Sequence, residues 1–403
     1  MRIVMLCDLY DDSQLYRENL LAKYYSKHGH QVTVVASTFT SVLDYVADRY
    51  NKSGPGRKYN DGQVKVIKLP YSLNLMNKLR KFDGVRIGEI LNEEEPGVIY
   101  LHDIHLNIRE AVNYIKKNPQ TRIIMGYHAD YSNSARNWIS LNILHKLIRK
   151  SILQKGIRYI QKIYPITPAS IVFLRDVYGV PLSKIELLPL GSDTDTAKKV
   201  IQAKEGLLIR KTISIPEDHI VIFTGGKLMP VKKTHILINA FNTISNPNLH
   251  LMIVGDTDKK DNNYKSQLLN LCNENERIHF VGWVEGKEIY KYMNACDLAV
   301  FPSSQSVLWQ QAISMGLPLI VGQTGVQDPS YLNLHGNIII LEEKNVKADV
   351  IAKRICELAE TPDLLNSLRN AALETSDELL NYDKIISKTL EIASTQDSAI
   401  ENS

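Results

Sequence analysis

The stretch HIVIFTGGKLMPVKKTHILINAF, residues 219–241, joins a short apolar run to a helix-forming segment through two glycines and a lysine-rich turn. An apolar run of this length is typical of a buried strand, and the apolar residues after the turn recur at helical spacing. Gly225 and Gly226 permit a close approach of the backbone at the strand's end. A strand, a glycine turn and a helix in this order predict the start of a parallel α/β sheet.

Two cations lie in the turn of this stretch. Lys227 and Lys232 stand five residues apart around Pro230, directly before the predicted helix. Two ammonium groups beside glycine amides can hold a diphosphate without a metal ion. A solvated lysine cluster at a turn has the same pattern, so the stretch alone leaves both interpretations open.

Strand-like and helix-like segments alternate on both sides of this stretch. Downstream strands are predicted at LHLMIVGD, IHFVGW and LAVFPSS, and upstream strands at RIVMLC, HQVTVVAS, GVIYLHD and RIIMGYHAD. The alternation predicts two doubly wound α/β domains, residues 1–193 and 194–376, with a C-terminal helix near 377–395 that packs back on the first domain. Such sheets bind ligands at the carboxyl ends of their strands, so we expect the site in a cleft between the two domains.

Length and composition narrow the class of protein. The chain has 403 residues, of which 44% are hydrophobic and 23% charged, and its formal net charge is +4. This mild charge argues against a dedicated nucleic-acid binder. Four cysteines without metal-like spacing, an N-terminus that turns acidic too soon for a signal peptide, and the absence of a membrane-spanning apolar run predict a reduced, cytoplasmic protein.

One histidine lies where a ligand would bind. His128 follows the predicted strand RIIMGY at the carboxyl edge of the first sheet, and polar residues come directly after it. A lone histidine is more often structural, but its place in the predicted cleft makes a functional role equally reasonable. The segment LPLGSD, with Gly191 and Asp193, fits either a site or a plain linker turn.

In their order and spacing these segments resemble the GT-B retaining glycosyltransferases of family GT4, from residue 1 to about residue 395. TGGKLMPVKK stands where the family has Gly-Arg-Leu, three residues and Lys-Gly. LMIVGD matches its strand ending in Gly-Asp, and QAISMGLPLIV its Glu-Ala-Met-Ala-Cys-Gly-Leu-Pro-Val-Val. LYRENLLAKYYSKHGH and HADYSNSARNWISLNILHK resemble a bacterial branch that builds capsular or other surface polysaccharides. The resemblance implies a GT-B fold, with an acceptor-binding first domain and a nucleotide-sugar-binding second domain facing a central cleft.

The resemblance also implies roles for three residues. Lys227 and Lys232 would neutralise the donor's diphosphate, because fixed cations stabilise the charge that grows on the leaving nucleotide in the transition state. Lys227 stands where the family has arginine, which keeps the charge but loses the bidentate fork. His128 aligns with the family histidine near the transferred sugar. The donor phosphate would take the acceptor's proton, so neither a metal nor a protein nucleophile is expected.

The loop FPSSQSVLWQQAISMGLP, residues 301–318, departs from the family pattern. Ser303 and Gln311 occupy the positions of two family glutamates. In a related branch of the family the acid falls at the position of Gln310, which is neutral here as well. Serine and glutamine still form hydrogen bonds, but a charged acceptor contributes more than a neutral one. This predicts weaker or altered donor binding. Another interpretation is that Gln310 and Gln311 are helix-surface residues beside a core Trp309.

Further contacts are implied by the resemblance. Gly282 and Trp283 would contact the nucleobase, and the amides of Val307 and Leu308 would lie near the phosphates. The expected donor-binding residues are Gly225, Gly226, Gly282, Trp283, Ser303, Ser304, Gln305, Val307, Leu308 and Gln311. On the acceptor side, Asp12, Ser13 and Gln14 lie where the family has its glycine pair, so a differently shaped wall is expected there.

A basic amphipathic segment, LHKLIRKSILQKGIRYIQK, spans residues 144–162. Such a segment can lie on an anionic membrane surface, although an ordinary surface helix with a core-facing stripe has the same pattern. The family's lipid-linked acceptors sit at the cytoplasmic leaflet, which adds weight to the membrane interpretation.

The sequence therefore predicts a metal-independent, retaining glycosyltransferase without a cofactor, using a nucleotide-diphosphate sugar with UDP favoured over GDP. The expected acceptor is a growing lipid-linked surface glycan, with the inner face of the cell membrane as a further partner and no nucleic acid. One alternative is a catalytically silent GT-B subunit that binds a partner transferase. A second is a sugar-nucleotide epimerase, although the missing glutamates count against the ionisable groups that such an enzyme needs.

Overall fold

The computed structural model describes residues 1–12, 14–39, 56–75, 78–257, 262–272, 275–284, 286–303, 305–325 and 327–391. It divides into two compact units, and the boundary falls between Pro189 and Leu190. The second unit ends at Lys384, and the chain from Ile385 belongs to the first unit. The sequence-based boundary between residues 193 and 194 lies four residues further along the chain.

The first unit contains a seven-stranded sheet with the order β3-β4-β2-β1-β7-β8-β9, and a two-stranded hairpin of β5 and β6. Its neighbours pair in parallel except for the antiparallel β3 and β4. The strands are β1 (Arg2–Leu6), β2 (Gln31–Ser37), β3 (Arg57–Asp61), β4 (Val64–Leu69), β5 (Tyr71–Leu75), β6 (Leu79–Phe82), β7 (Val98–His102), β8 (Arg122–Tyr127) and β9 (Ile160–Pro165).

Helices cover the strands of this sheet. They are α1 (Arg17–Lys27), α2 (Gly84–Glu94), α3 (Ile108–Lys117), a π-helical segment (Ser140–Arg149) that continues as α4 (Lys150–Gly156), α5 (Pro168–Tyr178), and two short 3-10 turns (Ile157–Tyr159 and Leu182–Lys184). The apolar faces of strands and helices meet in one core, which includes Val4, Leu101, Ile123 and Phe173. Burial of this surface is the main source of the unit's stability.

Local sequence sets the ends of several helices. The Oδ1 of Asp83 accepts hydrogen bonds from the amides of Val85 (2.8 Å) and Arg86 (3.2 Å), which caps α2. Thr167 caps α5 before a proline at its first position, and Gly179 ends the helix with a φ of 68°. Caps of this kind contribute about 1 kcal/mol each, so they define helix ends that burial alone would leave frayed.

The second unit is built on a six-stranded parallel sheet with the order β12-β11-β10-β13-β14-β15. The strands are β10 (Ile220–Gly225), β11 (Leu249–Val254), β12 (Ile278–Gly282), β13 (Leu298–Phe301), β14 (Leu319–Gln323) and β15 (Ile338–Glu342). Its longer helices are α6 (Thr194–Ala203), α7 (Gly206–Thr212), α8 (Thr234–Asn242), α9 (Asn262–Cys272), α10 (Ile289–Asn294), α11 (Val307–Ser314), α12 (Ala348–Ala359) and α13 (Pro362–Thr375). Its short turns are Pro230–Lys232, Gly286–Glu288, Pro329–Leu332, Glu343–Asn345 and the π-helical Ser376–Leu380.

The last described helix, α14, spans Tyr382–Glu391. Its part beyond Lys384 packs on the first unit, where the Thr389 hydroxyl lies 2.6 Å from the Tyr25 hydroxyl. Lys388 also forms an ion pair with Glu186 at 3.2 Å. Within the described ranges, none of the helices combines the length and apolarity that crossing a bilayer requires.

Each sheet collects its functional loops at one edge. In a parallel sheet the carboxyl ends of all strands lie on the same side, which is where open α/β sheets bind ligands. In the first unit these loops follow β1, β7 and β8, and in the second they follow β10, β11, β12 and β13. The prediction of two Rossmann-like, doubly wound domains is confirmed.

Candidate functional site

A glycine turn ends β10 in the second unit. The Gly226 amide donates to the Val254 carbonyl at 2.8 Å, and a Cβ at Gly225 would stand 2.2 Å from the same oxygen. Gly226 has a φ of 96°, in a region that favours glycine. Glycine is therefore required at both positions for the chain to turn beside β11.

The two lysines lie directly after this turn. Lys232 is half-buried, and its Nζ is 3.4 Å from the Gln305 carbonyl, a long hydrogen bond. Burial lowers the pKa of Lys232, because a low-dielectric environment disfavours the ammonium. Lys227 is exposed on the same turn. A half-buried ammonium with weak hydrogen bonding gains stability when an anion binds beside it.

The start of α11 packs against the glycine turn. A Cβ at Gly226 would lie 3.2 Å from Cδ1 of Leu308, and the Ser306 Oγ accepts from the Leu308 amide at 3.3 Å. Val307, the first residue of the helix, is exposed. The amino terminus of a helix attracts anions through its amides and dipole. The helix start and the lysine turn thus form one anion-attracting edge.

Neutral residues of the loop after β13 are engaged with protein partners. Ser303 is 3% exposed, and its Oγ lies 2.7 Å from the Thr324 hydroxyl. The Nε2 of Gln305 donates to the Tyr331 hydroxyl at 3.1 Å. Ser304 lies outside the described residues. The loop is therefore held by hydrogen bonds between neutral groups.

The interpretation of Gln310 and Gln311 as helix-surface residues is wrong, because both side chains are buried. The Gln310 Oε1 accepts from the Gly191 amide at 2.8 Å, which is a structural role. Gln311 forms a hydrogen bond with the Tyr290 hydroxyl, which also accepts from the Asp193 amide at 3.1 Å. Gln310 and Gln311 are therefore buried because they pack against α10 and the 190–193 turn.

The turn after β12 carries the residues assigned to the nucleobase. Gly282 has a φ of 88°, and its carbonyl accepts from the Gly255 amide at 2.7 Å. Trp283 is 58% exposed. These residues lie at the same sheet edge as the lysine turn, separated from it by β11. An exposed indole there offers a flat apolar surface to a ring.

The segment 188–193 is a structural turn. Gly191 has a φ of 75°, and Asp193 caps α6 through a hydrogen bond from the Thr196 amide to its Oδ1 at 3.3 Å. Of the residues predicted to lie beside an acceptor, Asp12 accepts at its Oδ1 from the Tyr59 hydroxyl at 2.7 Å. The Gln14 amide donates to the Asp11 carbonyl at 3.0 Å. Ser13 lies outside the described residues.

His128 belongs to a line of three side chains in the first unit. Its Nδ1 lies 3.4 Å from the His102 Nε2, and the His102 Nδ1 lies 2.6 Å from the Glu18 Oε1. The His128 amide donates to the Asp103 Oδ1 at 2.8 Å. Asp103 itself has a φ of 54°, a left-handed conformation that a non-glycine residue rarely adopts. These contacts hold His128 firmly at the carboxyl edge of the sheet.

Glu18, His102 and Asp103 are not among the residues predicted from the sequence. A signal was present, because the His-Asp pair ends the predicted strand segment GVIYLHD, at the same sheet edge as His128. Glu18 offered no such signal. It lies in the first turn of α1, where an acidic residue normally stabilises the helix dipole.

The three side chains differ in charge. Burial alone would lower the pKa of His102, but Glu18, Asp103 and Asp8 raise it to about 9. Burial and the neighbouring His102 cation lower the pKa of His128 to about 4. Burial would raise the pKa of Glu18, but the His102 cation and its hydrogen bond hold it below its usual range. At neutral pH Glu18 is therefore an anion, His102 a cation and His128 neutral.

Glu18, His102 and His128 are also the group of described residues with metal-ligand chemistry, since one ligand atom from each lies within 4.8 Å of the others. Ligands of a tetrahedral zinc ion, each about 2 Å from the metal, stand roughly 3.3 Å apart. The direct 2.6 Å contact between Glu18 and His102 leaves no room for an ion between them. The arrangement is that of an ion pair.

Two family models match the chain. The model of Glycosyltransferase Family 4 matches residues 19–196, and that of Glycosyl transferases group 1 matches residues 218–361. An uncharacterised glycosyltransferase of Methanocaldococcus jannaschii is 24% identical over 153 residues, covering 37% of this chain and 39% of that protein. D-inositol 3-phosphate glycosyltransferase of Stackebrandtia nassauensis is 23% identical over 179 residues, covering 41% and 40%. The matched segments thus span about two fifths of each relative.

Solved structures share the fold along the whole chain. HepE from Anabaena, solved with UDP, has a TM-score of 0.69 at 16% identity, covering 98% of this chain and 100% of its own. A glycosyltransferase from Rickettsia africae has a TM-score of 0.70 at 15% identity, covering 100% and 99%. The two family models thus match a glycosyltransferase domain in each half of the chain, and the solved neighbours show that the chain has the GT-B fold.

Proposed function

We propose that this glycosyltransferase moves a sugar from a nucleotide-diphosphate donor to a lipid-linked surface glycan, with retention of configuration and without a metal ion. The observation that carries the proposal is the anion-attracting edge of the second unit. There the glycine turn, Lys232 and the start of α11 lie close together, and with Lys227 of the same turn they would hold a diphosphate. The two ammonium groups would meet the charge of the diphosphate.

The donor nucleotide that we propose is a uridine diphosphate. HepE, which shares the fold, was solved with UDP and with UDP-glucose. In this chain Trp283 offers an exposed ring surface beside Gly282, and backbone groups around Gly282 can meet the edge of the base. Stacking on an aromatic ring tolerates different bases, so GDP sugars belong in the same test.

We infer the course of the reaction from the two lysines. The bond between the anomeric carbon and the phosphate oxygen breaks, and negative charge grows on the leaving nucleotide beside Lys227 and Lys232. Fixed cations there lower the barrier because they interact more strongly with the transition state than with the bound donor. The acceptor hydroxyl attacks the same face of the sugar, and its proton passes to the departing phosphate oxygen.

The neutral donor loop suggests how the sugar is held. Ser303, Gln305 and Gln311 would contact the sugar and ribose through neutral hydrogen bonds. A neutral loop repels an acidic sugar less than two glutamates would, so uronic-acid donors deserve a place among the candidates. The bonds that these residues now make to Thr324, Tyr331 and Tyr290 can be exchanged for bonds to a ligand.

Calorimetry with the purified chain tests the donor. UDP, GDP, their common hexose forms and UDP-glucuronic acid are titrated in turn, first with and then without EDTA. We expect saturable binding of one nucleotide series, unchanged by chelation, followed by transfer of the same sugar to an acceptor glycan. Strict dependence of transfer on a divalent ion would exclude the metal-free mechanism. Failure of every nucleotide sugar to bind at millimolar concentration would favour the alternative of a silent subunit that serves a partner transferase.

Because the proposed acceptor is lipid-linked, we also propose that the first unit binds a membrane surface. The helical region 138–150 leaves large apolar side chains in solvent, with exposed fractions of 70% for Trp138, 65% for Ile139 and 64% for Leu147. A stripe that faces the core does not account for them, because the members of this region that face the core are Leu141 and the buried His145. The same stretch of the chain carries the cations Arg136, Lys146, Arg149 and Lys150. Apolar side chains among cations suit an anionic bilayer surface.

We expect the double variant Trp138→Ser, Leu147→Ser to lose most of its binding to anionic vesicles, by about tenfold or more, since both side chains would enter the acyl boundary. Cosedimentation with phosphatidylglycerol vesicles measures this. Val85→Ser, which changes another exposed apolar residue of the first unit, is the matched control and should bind like the parent. Equal binding by the parent to neutral and anionic vesicles, or none to either, would contradict the membrane proposal.

A further inference from the structure

A line of three side chains crosses the carboxyl edge of the first sheet. Glu18 comes from α1, His102 from the end of β7 and His128 from the residue after β8. Glu18 and His102 are in contact at 2.6 Å, and His102 and His128 at 3.4 Å. Glu18 and His102 have no role in the reaction as proposed so far. Both belong to the line of contacts that ends at His128, the histidine proposed to meet the sugar.

The charges along this line specify where the protons are. An imidazolium has a proton on each ring nitrogen, so the His102 Nδ1 proton lies beside the Glu18 carboxylate in an ion pair of 2.6 Å, and the proton on Nε2 faces the Nδ1 of His128 at 3.4 Å. His128 is neutral, and its Nδ1 must therefore accept. The remaining proton of His128 lies on Nε2, and this buried atom has no hydrogen-bond partner among the described residues. A buried donor without a partner is costly unless a ligand accepts its hydrogen bond.

We propose that Glu18 and His102 are positioning residues, which hold His128 in the tautomer with its proton on Nε2, so that His128 donates a hydrogen bond to a hydroxyl of the transferred sugar. The inference rests on the proposed transfer of a sugar at His128. It adds two residues to the catalytic apparatus and assigns His128 the role of a donor, which excludes it as a general base at neutral pH.

Other charged and titratable groups face this line. Asp103 lies 3.6 Å from the His102 Nε2, and the Tyr100 hydroxyl donates to the Glu18 Oε1 at 3.4 Å. Asp8 acts on His102, and Arg17 acts on Glu18 and His128. Asp103 and Asp8 raise the pKa of His102 in the same direction as Glu18, but Glu18 has the larger effect. Glu18 is therefore the group whose removal should change the line most.

The charge of His102 predicts how kcat depends on pH. The pKa of His102 is raised to about 9, so its cation persists at neutral pH and is lost as the pH rises through that value. The donor tautomer of His128 should fail along with the cation, and kcat should fall on the alkaline side near pH 9. Without the Glu18 anion, burial pulls the pKa of His102 down. We expect the alkaline limb in Glu18→Gln to move by about 2 pH units toward neutrality.

Nitrogen-15 NMR of histidine-labelled protein tests the tautomer without any substrate. In the parent at pH 7 we expect His128 to show a protonated Nε2 and an unprotonated Nδ1, and His102 to show both nitrogens protonated. In Glu18→Gln and in His102→Gln, which remove the anion and the cation in turn, the His128 signals should move to a mixture of tautomers. A parent His128 with its proton on Nδ1, or doubly protonated, would overturn the proposal.

The pH profile of kcat tests the role in transfer. The alkaline limb should move in Glu18→Gln and return in Glu18→Asp, which restores the carboxylate. Glu94→Gln, which removes a carboxylate that pairs with Lys65 and Thr33 elsewhere in the unit, should leave the limb in place. Lower activity in Glu18→Gln with an unmoved limb would mean that Glu18 only supports the fold. If the parent transfers no sugar, the proposed function fails, and the NMR result still decides the tautomer.

Discussion

Lys232→Ala is expected to reduce sugar transfer by at least about 100-fold while the protein stays folded, since removing one preorganised charge contact from a transition state typically costs a factor of 10²–10³. Lys232 is half-buried beside the glycine turn, and its hydrogen bond to the Gln305 carbonyl is long, at 3.4 Å. Its ammonium is thus well placed to meet a diphosphate. Initial rates and circular dichroism of the variant measure the two parts of the expectation.

Two further variants sharpen this test. Lys232→Arg keeps the charge with a different shape and should retain part of the activity. Lys211→Ala, at an exposed position in the last turn of α7, changes the net charge equally and should act like the parent. Near-normal turnover of Lys232→Ala would remove the diphosphate role from this lysine.

His128→Ala should lower kcat by about 100-fold or more and change the affinity for the donor nucleotide by no more than about twofold. The nucleotide-binding residues that we propose belong to the second unit, whereas His128 belongs to the first and would meet the sugar. Single-turnover rates report the loss, and calorimetry with UDP reports the affinity. His28→Ala, which replaces an exposed histidine of the same unit, is the matched control.

Other results for His128→Ala would assign His128 a different contact or a structural role. If UDP binding collapses in His128→Ala while thermal melting stays close to that of the parent, His128 contacts the nucleotide and not the sugar. If both the melting temperature and the binding fall, the loss reflects the contacts of His128 with Asp103 and His102. The melting curve thus separates a chemical effect from a structural one.

Local patterns were sufficient for the architecture. Buried strands such as β10 are continuous apolar runs, and the pair Gly225 and Gly226 marks the turn at its end, where Gly226 has a φ of 96°. Helix ends follow from short-range signals such as Thr167, Pro168 and Gly179 around α5. These features depend on neighbours a few residues away, and that is why a single sequence predicts them.

The two glutamines of α11 show where local reasoning ends. From the sequence, Gln310 and Gln311 fit a helix surface as well as a binding site, because helical spacing does not reveal what packs on each face. The structure buries both, since Gly191 and Tyr290 lie against them from elsewhere in the second unit. Burial is a property of the assembled unit, so only tertiary structure could decide it.

By itself the sequence predicted eight strands, the glycine turn with its two lysines and the place of His128 after a strand; the predicted strands are β1, β2, β7, β8, β10, β11, β12 and β13. Only tertiary structure decided the chemical state of that histidine. Glu18 and His102 are far from His128 in the chain, and folding brings them into one line of contacts. A histidine's charge and tautomer depend on burial and on charges within a few ångströms, and the pKa of His128 falls to about 4 because folding supplies both.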